Sequence, residues 1–158
     1  MAVTEFNWTT KDGLNIYAKD WSVAQPKGVI CLVHGMGEHI NRYNHFAAFY
    51  NKNGYAVVGC DRRGHGKSAG KRGHTPAYVR YMNEIAQLMV EAEERYPNVP
   101  TFLYGHSMGG NLALKYTIDR HPTLNGLIVT GAWIKLAFQP PKVMVAIAKL
   151  VKNIAPTF

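Results

Sequence analysis

The chain has 158 residues, 47% hydrophobic and 18% charged, enough for one compact domain with its own core and incompatible with a disordered chain. Eighteen Lys and Arg against ten Asp and Glu give a net charge of +8, but the basic residues are scattered over loops and form no recognised nucleic-acid module. The two cysteines, Cys31 and Cys60, both sit in apolar runs, which excludes a disulfide scaffold or a zinc site and fits a reducing compartment.

The first 25 residues carry Glu5, Lys11, Asp12, Lys19 and Asp20 with no apolar stretch between them, unlike a secretory leader. No run approaches the roughly 18 uncharged apolar residues of a spanning helix, so a soluble, cytoplasmic protein is expected.

Val3–Thr9 and Leu14–Trp21 alternate apolar and polar residues around Lys11-Asp12-Gly13, the pattern of a hairpin. Gly28–Val33 is a continuous apolar run, as in a strand covered on both faces. A helix is expected over about 42–51, ended by Gly54, and a second buried strand over Tyr55–Cys60. From Pro76 to Arg95, Val79, Met82, Ile85, Leu88 and Met89 recur at helical spacing. A short strand at Thr101–Tyr104, a helix over 111–120 and a strand at Leu127–Thr130 follow. Strands alternating with helices predict an α/β fold: a mostly parallel sheet with an antiparallel N-terminal hairpin and helices on both faces. Residues 132–141 break the pattern and lead into an amphipathic helix. Its apolar face is Val143, Ala146, Ile147, Leu150, Val151 and Ile154, and its polar positions include Lys142, Lys149 and Lys152.

Gly105-His106-Ser107-Met108-Gly109 matches G-x-S-x-G. By composition alone, three fixed positions at about 7% each arise in roughly one chain in twenty of this length, so the context carries the weight. A strand ends at Tyr104 and a helix starts right after Ser107, so the serine falls at a sharp turn that lifts its Oγ above the sheet. A serine that merely caps the helix is the plainer alternative. The second motif, His34-Gly35-Met36-Gly37, follows the strand at 28–33. An oxyanion hole needs two convergent backbone donors, for which the N–H groups of Met36 and Met108 are the candidates. Gly35 and Gly37 let that backbone approach a carbonyl closely. The loop Asp61–Ser68 ends in Gly66-Lys67-Ser68, but a phosphate loop would need glycine where Asp61 stands. A structured loop beside the active site is the better reading.

Together, GVICLVHGMGEHINR at 28–42, the 61–68 loop, GHSMGG at 105–110 and the stretch 133–141 resemble the α/β-hydrolase family, and within it the monoacylglycerol lipase and lysophospholipase branch. The resemblance spans nearly the whole chain, with the four segments in order. It implies a serine hydrolase that cleaves carboxylic esters of single-chain lipids through an acyl-enzyme on Ser107, with the amides of Met36 and Met108 as oxyanion hole. Substrate contacts are expected from Gly35, His106, Trp133, Leu136 and Phe138, although an aromatic cluster is as often core as acyl pocket. Neither a metal nor a cofactor is called for, and the expected partner is a small lipid ester. Residues 1–131 would be the N-terminal part of the hydrolase core and 132–158 the opening of a cap.

The pattern is broken at one point. Serine needs a base, and the base an orienting acid, in the chain order Ser, Asp or Glu, His. After Ser107 there is one acid, Asp119, and one histidine, His121. Fourteen helical residues at 1.5 Å each put His121 roughly 21 Å from Ser107, too far for proton transfer. His34 and His39 lie on the oxyanion loop, His65 and His74 fit loops, His45 fits a helix face, and Asp61 fits either a brace of its loop or an orienting acid. The resemblance therefore places the triad acid and histidine beyond residue 158, truncating the sheet before its last strands, and the chain alone is expected to be inactive. The same conclusion follows from the strand at 127–130, which would otherwise be a flat apolar edge. A non-catalytic fragment, or one half of a split hydrolase completed by a partner chain, is the alternative. From 132 to 158 there are four lysines and no acid, so the helix at 142–154 either rests on a membrane surface or packs its apolar face on the rest of the cap.

Overall fold

The computed structural model describes residues 2–135 and 139–154, apart from the side chains of Lys152 and Asn153. The chain opens with strands β1 (Ala2–Thr9) and β2 (Asn15–Ser22), paired antiparallel along their whole length from Ala2↔Ser22 to Thr9↔Asn15. The reversal is fixed locally: Leu14 N donates to Thr10 Oγ1 at 3.0 Å, Thr10 Oγ1 donates to Asp12 Oδ1 at 2.7 Å, and Gly13 takes φ 81°.

Strands β3 (Gly28–Val33), β4 (Tyr55–Cys60), β5 (Thr101–His106) and β6 (Gly126–Thr130) complete a sheet of order β1-β2-β4-β3-β5-β6. β2 joins β4 antiparallel, and the remaining pairs are parallel. All six residues of β3 are buried, and they alternate between two cores. Val29, Cys31 and Val33 face one cluster with Met82, Ile85 and Leu88 of helix α2 (Tyr78–Arg95) and with Leu112 and Ala113 of helix α3 (Met108–Arg120). Ile30 and Leu32 face the other, with Ala47 of helix α1 (Asn44–Lys52), Trp21 and Tyr104. Helices therefore cover both faces, and each fully buried Val, Leu or Ile contributes about 1.5–3 kcal/mol. Cys31 and Cys60 are free and buried in the centre of the sheet, where burial pushes the Cys31 thiol up to about 12.

The expected elements all form, with shifts at their ends. The helix read from residue 42 is a 3₁₀ turn at Ile40–Tyr43 followed by α1. The expected stripe on α2 is corrected at Val79, which is exposed. At about 100° per residue Val79 lies about 120° from Ile85, off the buried face, whereas Tyr81 and Ala92 lie on it. The last helix, α4, runs Lys142–Ile154 as expected, and its described side chains Val143, Met144, Ile147, Leu150, Val151 and Ile154 are all exposed. Among the described residues no helix is long and apolar enough to cross a membrane.

Candidate active site

Between the last residue of β5 and the first of α3 stands a single residue, Ser107, at φ 53° and ψ −120°. A non-glycine residue in this region costs about 1–3 kcal/mol and persists only where its surroundings over-determine it. Here the backbone supplies the determination. Ser107 N donates to Thr130 O at 2.9 Å on β6, while Ser107 O accepts from Asn111 N at 3.1 Å and Trp133 N at 3.3 Å. The flanking glycines are sterically required: a Cβ on Gly109 would run into the carbonyl oxygens of Val33 and His34, and one on Gly105 into the carbonyl of Gly109. Helix α3 can thus begin directly above the end of β5, with its N-terminal amides beside Ser107.

The loop after β3 comes alongside. A Cβ on Gly35 would lie 3.3 Å from Ser107 Cβ and 2.7 Å from Glu38 Oε2, so a side chain here would crowd the serine and displace the Glu38 carboxylate. The loop is held from both sides. Glu38 Oε2 accepts from the Gly35 amide and from Tyr43 Oη, both at 2.8 Å, and Glu38 Oε1 pairs with Arg42 at 3.0 Å. Burial raises the Glu38 pKa, but the bonds from Tyr43 and Gly35 and the charge of Arg42 outweigh it and hold the carboxyl below its ordinary range. On the inner side, His34 is fully buried, its Nδ1–H donating to Gly35 O at 2.7 Å and its Nε2 accepting the Arg62 amide at 3.0 Å. Among the described residues the amides of Met36 and Met108 have no acceptor, and Ser107 Oγ has no partner. An open hollow of about 330 Å³ adjoins the loop, bordered by Met36, Glu38, His39, His65 and Arg72.

The structure thus brings Ser107, Met108, Gly35 and Met36 together. His106 turns its Nδ1 to Thr130 Oγ1 at 3.0 Å. Trp133 is exposed, with its amide donating to Ser107 O and its carbonyl accepting from Asn111 Nδ2 at 3.0 Å. Leu136 and Phe138 lie outside the described residues. Asp119 pairs with Lys115 at 2.6 Å at the far end of α3, and His121 ends that helix in a left-handed conformation. Asp61 braces its loop: Oδ1 accepts from Ile40 N at 2.7 Å and Oδ2 from Lys67 N at 2.8 Å. His65 is buried, with Nδ1 donating to Arg63 O at 2.9 Å. Among the described residues no histidine or carboxylate hydrogen-bonds Ser107 Oγ. Sequence reasoning missed Glu38 and Arg62. Glu38, three residues beyond Gly35, was the readable one, since that spacing lets a carboxylate fold back on an amide.

A mostly parallel sheet covered on both faces, with a glycine-flanked serine at a strand–helix turn and a glycine loop beside it, defines an α/β hydrolase. The family described as serine aminopeptidase, S33, matches residues 24–158, and the chain belongs to it. It is 30% identical over 154 residues to a monoacylglycerol lipase of Mycolicibacterium smegmatis, covering 97% of this chain and 55% of that protein. A thermostable carboxyl esterase from Bacillus coagulans, solved in complex with glycerol, superposes with a TM-score of 0.81 at 29% identity, over 98% of this chain and 51% of that one. A monoacylglycerol lipase from Paleococcus ferrophilus gives 0.71 at 32% identity, over 99% and 53%. The chain spans about half the length of each of these three relatives.

Proposed function

We propose that this chain carries the nucleophile and the oxyanion hole of a carboxylic-ester hydrolase acting on single-chain lipid esters, monoacylglycerols or lysophospholipids. The observation that carries the reading is Ser107 itself, held at φ 53° beside two amides with no acceptor among the described residues. Ser107 Oγ adds to the acyl carbonyl carbon, and the amides of Met36 and Met108 stabilise the oxyanion. The alcohol leaves with a proton, and water then releases the fatty acid from the acyl-enzyme. One oxyanion donor is worth about 3 kcal/mol of transition-state stabilisation. The lipid substrate is suggested by the names of the lipases it resembles.

The general base and its acid are supplied from outside residues 1–158, because Asp119 and His121 stand at the opposite end of α3. Residues 132–158 open a cap, Trp133 borders the substrate entrance, and α4, basic on one side with an exposed apolar side, meets a membrane surface. The same distance between Ser107 and His121 favours one second reading, a fragment that is silent until a partner chain completes it.

Labelling of the full protein with a fluorophosphonate probe tests the proposal. Wild type should label and Ser107→Ala should not; equal labelling of the two, or none in wild type, refutes it. Ester hydrolysis by residues 1–158 that appears only on addition of a second chain would select the split enzyme.

A further inference from the structure

Two adjacent arginines in the loop after β4 are equally buried, at 2% exposure, and have opposite surroundings. Arg63 is answered by carboxylates: it pairs with Glu84 and reaches Asp12 at 3.0 and 3.1 Å. Arg62 has no carboxylate partner among the described residues. Its Nη2 donates to Gly35 O at 2.8 Å, its guanidinium lies 5.1 Å from the Tyr81 ring, and Nε and Nη1 have no partner. A buried cation with no carboxylate in contact is costly to hold, and desolvation lowers its pKa in spite of the charges of Glu84 and Glu38 further off. An apolar side chain would fill the space without that penalty, so the charge calls for a role.

Its one charged hydrogen bond points to that role. Gly35 O and the Met36 N–H belong to the same peptide group, and in a trans peptide the C=O and N–H bonds point in opposite directions. Gly35 O takes hydrogen bonds from Arg62 Nη2 and His34 Nδ1, so the oxygen end is pinned inward and the Met36 N–H faces the other way. A Cβ built on Gly35 would meet Ser107 Cβ at 3.3 Å, so this part of the loop lies beside Ser107. We infer that Arg62 is a positioning residue of the oxyanion hole, which orients and polarises the Gly35–Met36 peptide so that a buried positive charge acts on the reacting oxygen through a neutral amide. The arrangement keeps the cation away from substrate and water and strengthens the Met36 hydrogen bond as negative charge develops. The inference rests on the assignment of Met36 as an oxyanion donor.

The test uses the full protein with p-nitrophenyl butyrate, rates being counted per Ser107 titrated by fluorophosphonate, and a trifluoromethyl ketone as oxyanion-forming inhibitor. Arg62→Met should lower kcat about tenfold to a hundredfold, leave KM within about twofold, and weaken the ketone in step with kcat. Arg62→Lys should regain most of the loss and Arg62→Gln less, so that the Lys–Gln pair still decides if Arg62→Met fails to fold. A flat kcat per titrated serine across the folded variants, even with reduced thermal stability, assigns Arg62 to packing and overturns the inference. A rise in KM with kcat unchanged overturns it equally. Wild type that neither labels nor hydrolyses overturns the serine-hydrolase reading itself, a result distinct from active wild type and equally active variants.

Discussion

β3 and β6 are both short, apolar, parallel strands, yet they meet opposite fates. Every residue of β3 is buried between two paired neighbours, whereas among the described residues β6 pairs with β5 alone and none of its five residues is fully buried. The helices repeat the contrast. α3 packs Leu112, Ala113 and Tyr116 into the core, whereas α4, the more apolar sequence, exposes Ile147, Leu150 and Ile154. Apolar content says that a segment can be buried, and pairing decides whether it is. The strained serine sits where the two sides meet: β3 and β5 fix the ends of the loop and the elbow, while the Ser107 amide is held by Thr130 O of β6.

Breaking the packed side should cost most. Gly109→Ala puts a methyl group against the carbonyls of Val33 and His34, and a loss of at least about 3 kcal/mol in urea unfolding is expected. Little change would mean that the elbow can open without loss. Leu112→Ala, in the core, should cost about 3 kcal/mol, whereas Leu150→Ala on α4 should stay within about 0.5 kcal/mol. Similar losses at both positions would erase the contrast and show that α4 is covered in the full protein.

The last effect is one of pH. Burial, with the Arg62 charge adding to it, pushes the pKa of His34 well below its usual value, and burial lowers His65 in the same direction. The unfolded chain takes up protons near pH 6.5 that the folded chain refuses, so stability is intact above that pH and falls below it. His34 contributes up to about 1.4 kcal/mol per pH unit as the pH falls below 6.5, and His65 adds to it in the same direction. Urea midpoints at pH 7.5, 6 and 5 measure the slope, and a flat response would mean that these rings are open to protonation in the fold.

The sequence was most legible where periodicity and glycine placement speak to backbone geometry. The hairpin around Gly13 is fixed by neighbours a few residues away, whereas the buried run at 28–33 and the turn at Ser107 are only marked locally, by an unbroken apolar run and by flanking glycines, and are held by distant strands. Val79 was misplaced because apolar residues at helical spacing do not by themselves locate the centre of a buried face. Arg62 was illegible for a different reason: its partner Gly35 is 27 residues earlier, and two consecutive arginines look alike until the fold gives one of them carboxylates and the other a peptide oxygen.

The two cysteines at the middle of the sheet have a practical corollary. Both thiols are enclosed and held protonated by their surroundings, so the folded molecule offers oxidants and alkylating reagents no sulfur nucleophile from these positions. A single cysteine introduced on the outside can therefore carry a fluorophore or spin label without the native pair being removed first.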